Sequence, residues 1–226
     1  MEEMALLKGI PLFADMSLEQ LAPLVEMLER RTYRKGQVIL RQGDEGDSLF
    51  VIVSGRVRIY TLSPEGHELS VMIGDPGDFF GEMAMLDGEP RSANAEAMQR
   101  TEVLLLQRRA FRHHLLAHPT AALHIIETLS QRLRRTTESA EELVSLNVPQ
   151  RIARKLLELA ERYGVDHGDG TLIDLDLSQE AIASLVGTTR ESANRALSRW
   201  REQGIVQIER VRIRVLNPEK LEELLH

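Results

Sequence analysis

Two short stretches hold most of the chemistry open to this sequence. The first is Gly81-Glu82-Met83-Ala84, followed after six intervening residues by Arg91-Ser92-Ala93. A glycine ahead of a short helical turn lets backbone N–H groups approach an anion, and a helix N-terminus favours negative charge. Arg91 offers a fixed cation with paired donors, Ser92 a hydroxyl, and Glu82 a carboxylate able to accept from a sugar hydroxyl. Taken alone, the same residues also fit an ordinary surface turn with a solvated arginine. The second stretch runs from Thr189 through Arg190 and Glu191 to Asn194 and Arg195. These are base-reading types: Arg can be bidentate to guanine, Asn to adenine, and Glu can accept from cytosine.

The second stretch sits where a helix can present it. Ser178, Glu180 and Ala181 open a helix that continues to Val186. Gly187 can take the left-handed conformation that ends it, and Thr188 or Thr189 can cap the next. That next helix, about 189–203, buries Ala193, Leu197 and Trp200 and stops before Gly204. Two short helices joined at a glycine make a helix-turn-helix, and the first residues of its second helix meet base edges in the major groove. Residues 205–208 and 211–215 then read as a two-stranded wing with its arginines facing out. A helical hairpin with a solvated basic face is the alternative; cap, glycine, buried positions and wing together favour the nucleic-acid reading.

Charge agrees locally. The chain has 226 residues and a formal net charge of −7, which spread evenly would argue against nucleic acid. Between Gly187 and Arg214, however, seven arginines face three acids, and a basic patch of that kind attracts phosphate whatever the total. The absence of cysteine excludes thiolate nucleophiles, iron–sulfur clusters and disulfides. No metal set emerges from the seven histidines: His113 and His114 are adjacent, His118 and His124 lack partners at ligand spacing, and His67 falls in a turn. No nucleophile–base pair, Walker loop or carboxylate dyad is visible, so an enzyme is not expected. No apolar run reaches the roughly 18 residues of a membrane span, and Met1-Glu2-Glu3-Met4 lacks a basic signal region, so a cytoplasmic protein without membrane contact is expected.

The remaining elements divide the chain. Nine of fifteen glycines lie between Gly36 and Gly88, separating short β-rich runs at 38–40, 49–53, 57–60, 69–73 and 103–106. That spacing reads as a sandwich or barrel. Residues 1–30 read as helical. From Thr120 to Leu146 there is no Gly or Pro, and Ala122, Ile126, Leu129, Leu133, Thr136, Ala140, Leu143 and Asn147 alternate in steps of four and three. This is a coiled-coil seam; a core helix lying on its own β domain is the alternative, and the strict two-position seam flanked by Arg and Glu favours a helix dimer. Asn147-Val148-Pro149 breaks the helix and starts another, and the glycines at 164, 168 and 170 form a loop.

Gly81-Glu82-Met83 followed by Arg91-Ser92-Ala93 resembles the phosphate-binding cassette of cyclic-nucleotide-binding domains. With the long helix and Arg190-Glu191-Ser192-Ala193-Asn194-Arg195, residues 5 to 220 resemble the cyclic-AMP receptor protein branch of the bacterial Crp/Fnr regulators. The resemblance implies an α+β fold. A cyclic-nucleotide-binding β-roll (double-stranded β-helix) would span 1–118, a long dimerisation helix 119–147, and a winged helix-turn-helix domain 148–226. It implies that Gly81 and Glu82 hold a ribose, Met83 and Ala84 lie near the phosphate, and Arg91, Ser92 and the Ala93 amide bind it. Thr136 and Thr137 match the hydroxyl pair that meets adenine, one across the dimer, and Arg132 matches a cation near Glu82. Thr189, Arg190, Glu191, Asn194 and Arg195 fall at the DNA-contacting positions, with Asn194 in place of the usual glycine.

The implied protein is a homodimeric transcription regulator with cyclic AMP as effector. Double-stranded DNA with TGTGA-like half-sites and RNA polymerase would be its partners. The same fold sensing another effector, or binding DNA without one, is the nearer alternative. A cyclic-nucleotide-binding regulatory subunit of an enzyme is the more distant one, and the helix-turn-helix speaks against it.

Overall fold

A computed structural model describes residues 4, 7–10, 13–14 and 16–225 of the chain. Their contacts divide it into two compact units: Met1–Glu65 with Val71–Thr136, and Gly66–Ser70 with Thr137–His226.

Helix α1 (Leu18–Val25) starts at a capping box, in which Ser17 accepts from the Gln20 N–H and the Gln20 side chain accepts from the Ser17 N–H. The helix is only eight residues long and contains Pro23. The sequence pattern suggested a longer one through residue 30, but Glu29–Tyr33 instead forms strand β1, paired with a strand 72 residues on. Part of that helical reading, residues 1–3, 5–6, 11–12 and 15, lies outside the described residues, as does the segment Met1-Glu2-Glu3 read for a signal.

The strands that follow are β2 (Val38–Leu40), β3 (Ser48–Ser54), β4 (Val57–Leu62), β5 (Glu68–Gly74) and β6 (Phe79–Phe80). Helix α2 (Glu82–Asp87), β7 (Asn94–Ala97), β8 (Thr101–Gln107), α3 (Arg108–Ala117) and α4 (Pro119–Ser145) complete the series. They make two four-stranded antiparallel sheets, ordered β1-β8-β3-β6 and β2-β7-β4-β5. Side chains alternate across a strand, and β3 uses both faces. Phe50 and Ile52 join Phe80, Val57, Ala95, Ala97, Val103 and Leu105 in a core drawn from both sheets. Leu49 and Val51 join Leu21, Leu104, Leu106, Phe111, Ala121 and Ile125 on the helical side. That is why β3 reads as a continuous apolar run. The face of α4 that carries Ala121 and Ile125 is used here; Ile126 and Leu133, elsewhere on the helix, stay 58% and 68% exposed.

In the second unit α5 (Val148–Tyr163) begins at an Asn147/Gln150 capping box with Pro149 in its first turn. Strands β9 (Gly164–Asp166) and β10 (Thr171–Ile173), helices α6 (Gln179–Val186) and α7 (Arg190–Glu202), strands β11 (Val206–Glu209) and β12 (Arg212–Val215), and α8 (Pro218–Glu223) follow. The sheet runs β11-β12-β10-β9. The glycine-rich stretch 164–170, read from sequence as a loop, is therefore a hairpin whose second strand pairs with the wing, Ile173 opposite Ile213. Strands of three residues are too short to show alternation. Ile152, Leu156, Leu159 and Tyr163 line the buried face of α5.

Candidate anion pocket and nucleic-acid interface

Arg91 is 6% exposed. Its Nη1 donates to the Gly81 carbonyl at 2.7 Å and its Nη2 to the Ser48 carbonyl at 2.9 Å. Its backbone is tied to the turn before β3: the Arg91 N–H donates to Asp44 O at 2.8 Å, and the Gly43 N–H donates to Arg91 O at 2.9 Å. The guanidinium lies so close to bare backbone that a Cβ at Gly46 would come within 2.4 Å of Nε, and one at Gly81 within 2.7 Å of Nη1. Gly81 also needs its freedom, since φ is +80° where it caps α2. Among the described residues no carboxylate reaches ion-pair distance of Arg91. Burial pushes its pKa down, opposed by the more distant Asp47, Glu82 and Asp44. A buried cation held by two neutral carbonyls, with donor hydrogens left over, fits an anion supplied from outside.

Glu82, the first residue of α2, is 4% exposed. Arg132 of α4 donates to it through Nη1 at 2.7 Å and to the Phe79 carbonyl through Nη2, with its guanidinium 4.8 Å from the Phe79 ring centre. The proposed sugar acceptor is thus already clamped by a cation. Removing one member of a buried pair strands the other. Arg132→Ala is expected to cost about 2–3 kcal/mol of stability, discounted for the partial exposure of Arg132. Denaturant unfolding without nucleotide checks this, and the Arg132→Ala/Glu82→Gln double variant should recover part of the loss.

The structure brings Gly81, Glu82, Ala84, Arg91 and Arg132 together with Met83 and Ser92 at their edge. Met83 is 47% exposed, and Ser92 Oγ donates to its sulfur at 3.4 Å. Ala84 is buried, and Ala93 leads into β7. Thr136 is exposed and donates to the Arg132 carbonyl at 2.9 Å, its own helix's backbone. No described contact joins it to the cassette. Thr137 is exposed and opens the second unit. Sequence reading missed Gly46, Ser48 and Arg108. Arg108 Nη2 donates to both Gly46 O and Ala84 O, joining the two walls around Arg91. The glycines at 43 and 46 ahead of β3 were a visible signal, but their register against Arg91 was not.

In the second unit Ser178 caps α6 and Gly187, φ +61°, ends it. Thr189 caps α7 by accepting from the Ser192 N–H at 3.3 Å. Ala193, Ala196, Leu197 and Trp200 are buried, leaving Arg190, Glu191, Asn194 and Arg195 exposed on the first two turns. Arg190 makes no hydrogen bond or ion pair with any described residue. Arg195 donates to Ser192 Oγ at 2.8 Å, and Asn194 Oδ1 accepts from Gln179 Nε2 at 2.8 Å. Hydrogen bonds from the Glu191 backbone N–H and from Thr189 hold the Glu191 carboxyl below its usual range, so it stays ionised. Arg151, also missed from sequence, ties the turn to the end of α4, donating to Val186 O at 2.9 Å and Leu146 O at 2.8 Å.

The wing departs from expectation. Arg212 pairs with Asp174 at 2.7 Å and Asp176 at 3.1 Å, and Arg214 with Asp169 at 2.8 Å, leaving the Arg214 side chain 14% exposed. Two of the seven arginines are thereby neutralised, because β10 and its flanking acids lie beside the wing. Among the described residues no cluster of three or more His, Asp or Glu is placed to hold a metal. None of their helices is long and apolar enough to cross a membrane.

Comparison with known proteins gives the same two regions. Residues 30–118 match the cyclic nucleotide-binding domain and residues 150–224 the Crp-like helix-turn-helix domain. The chain is 32% identical over 221 residues to the CRP-like cAMP-activated global transcriptional regulator of Mycobacterium tuberculosis, covering 98% of each. It is 32% identical over 218 residues to the cyclic AMP receptor protein of Thermus thermophilus, covering 96% of this chain and 98% of that one. Among solved structures, the c-di-GMP responsive global regulator CLP of Xanthomonas campestris superposes with a TM-score of 0.80 at 25% identity, covering 88% of this chain and 99% of the other.

Proposed function

Given that the chain belongs to the Crp/Fnr family of transcription regulators, we propose that it is a homodimer that binds cyclic AMP and then reads a two-fold DNA site with TGTGA-like half-sites. Relatives at 32% identity are described as cAMP-activated or as cyclic AMP receptors, which supports the choice of nucleotide. The observation that carries the reading is Arg91, a buried guanidinium without a carboxylate partner, beside the buried Glu82.

The proposed division of labour is 1–118 for the effector, 119–147 for dimerisation and 148–226 for DNA. In the pocket, Arg91, Ser92 and the Ala93 amide hold the cyclic phosphate, Gly81 and Glu82 the ribose, with Met83 and Ala84 alongside. Thr136 and Thr137 meet the adenine, one of them from the partner subunit. Because Arg132 already occupies Glu82, the ribose hydroxyl and the guanidinium share that carboxylate, which links effector binding to α4. Exposed Ile126, Leu133 and Leu143 lie on the seam through which two α4 helices pair. The effector acts by differential affinity for two arrangements of that pair, favouring the one that spaces two α7 helices one DNA turn apart, about 34 Å. RNA polymerase is the proposed protein partner, and the cytoplasm the place of action.

Calorimetric titration of the intact protein with cyclic AMP tests the effector. Saturable binding of one nucleotide per chain is expected; heat only with cyclic GMP or c-di-GMP would overturn the choice. On the DNA side, Arg190→Ala should cost about 1–3 kcal/mol on the specific site and relax one base position. Site selection from a random pool that returns the unmodified preference would refute the role of Arg190.

A further inference from the structure

The side-chain amide of Asn194 is held by its oxygen. Oδ1 accepts from Gln179 Nε2 at 2.8 Å and from Ser198 Oγ, one turn further along α7, at 3.2 Å. An amide oxygen carries two lone pairs, and both are spent. Nδ2 makes no hydrogen bond with any described residue. The side chain is exposed on the same two turns as Arg190, Glu191 and Arg195. What Asn194 offers to a ligand is therefore two N–H donors and no acceptor.

The clamp is set by how the two helices meet. Gln179 is the first residue of α6, directly behind the cap Ser178, which accepts from the Ala181 N–H at 3.1 Å. It lies 15 residues before Asn194, and the packing of α6 on α7 carries it to the side of that amide. The major-groove edge of each base decides what such a group can read. The asparagine–adenine pair needs a donor to N7 and an acceptor for the N6 amino group, and here the acceptor is already taken. Guanine presents two acceptors in the major groove, N7 and O6, and no amino group.

We propose that Gln179 is a positioning residue for base selection: by holding Asn194 Oδ1 it makes the amide a donor-only reader that selects guanine over adenine at one position of each half-site. This rests on the DNA-binding reading above, and it reverses the adenine preference that the residue type alone suggests.

Site selection from a random duplex pool, with the intact protein and cyclic AMP, tests this on the unmodified protein, Asn194→Ala, Gln179→Ala and Gln179→Glu. Asn194→Ala should lose its preference at one position, which locates the contact. There the unmodified protein should favour guanine over adenine by about 3- to 10-fold, the worth of one hydrogen bond. Gln179→Ala frees the amide to turn and should bring that ratio near one. In Gln179→Glu the carboxylate can only accept, so it draws Nδ2 towards itself and exposes Oδ1; the ratio should then favour adenine. Each ratio is read within one sample, so a variant that is partly unfolded still reports it. A ratio unchanged in either Gln179 variant overturns the proposal, as does an unmodified protein that prefers adenine there or an Asn194→Ala variant that selects as before. Weakening that is equal on every sequence also overturns it, because that marks a phosphate contact. In each of these cases a pool that still yields a two-fold site leaves the DNA reading standing. An unmodified protein that selects no sequence overturns that reading and this proposal with it.

Discussion

Arg91→Ala is expected to weaken cyclic-AMP binding by about 100- to 10,000-fold, in effect abolishing it at working concentrations. The guanidinium is positioned before any ligand arrives, because two of its N–H groups are spent on Gly81 O and Ser48 O. Binding an anion there therefore carries no further entropy cost of ordering a long side chain. Two charge-assisted hydrogen bonds at about 1.5–3 kcal/mol each give the stated range. The variant also leaves the buried Ser48 carbonyl and the half-buried Gly81 carbonyl short of a donor, so some loss of stability in the first unit is expected. Arg91→Lys separates the effects: it keeps the charge but loses the bidentate geometry, and should bind with intermediate affinity. Calorimetry that finds cyclic-AMP affinity unchanged in both variants would remove Arg91 from the pocket.

Leu133→Asp is expected to convert the protein to a monomer and to reduce affinity for the two-fold DNA site by about 100- to 10,000-fold, the advantage that linking two half-site readers confers. Leu133 is 68% exposed, so the substitution disturbs neither core of the first unit. Its neighbour Arg132 points to Glu82, and nucleotide binding through Arg91 should largely survive. Ile126→Asp, at a position 58% exposed on the same seam, should act alike. Analytical ultracentrifugation reads the result; a dimer that persists in both variants would place the interface elsewhere.

What could be read from sequence follows the range of the interactions. The helix-turn-helix was legible because Ser178, Gly187 and Thr189 act on backbone within a few residues of themselves. The long helix and its restart at Asn147 were legible for the same reason. The cassette was half legible. Arg91 and Glu82 declare an anion and a hydroxyl partner by their types, but the carbonyl of Ser48, 43 residues away, and the close approach of Gly46 depend on how the strands pair. Arg132 opposite Glu82 came only from the family resemblance, since nothing local links a helix residue to one 50 positions earlier. Pro23 and the pairing of Glu29–Tyr33 with β8 cut short a helix that periodicity extended. The wing arginines were misjudged as uniformly outward because Asp169, Asp174 and Asp176 reach them through a sheet order that three-residue strands do not announce.

DNA affinity measured by fluorescence anisotropy at one fixed salt concentration, with and without cyclic AMP, tests the central claim most directly. A duplex carrying two TGTGA-like half-sites one turn apart should be bound about 5- to 150-fold more tightly when the nucleotide is present, the usual span of coupling between two sites. Equal affinity in its presence and absence would contradict the account.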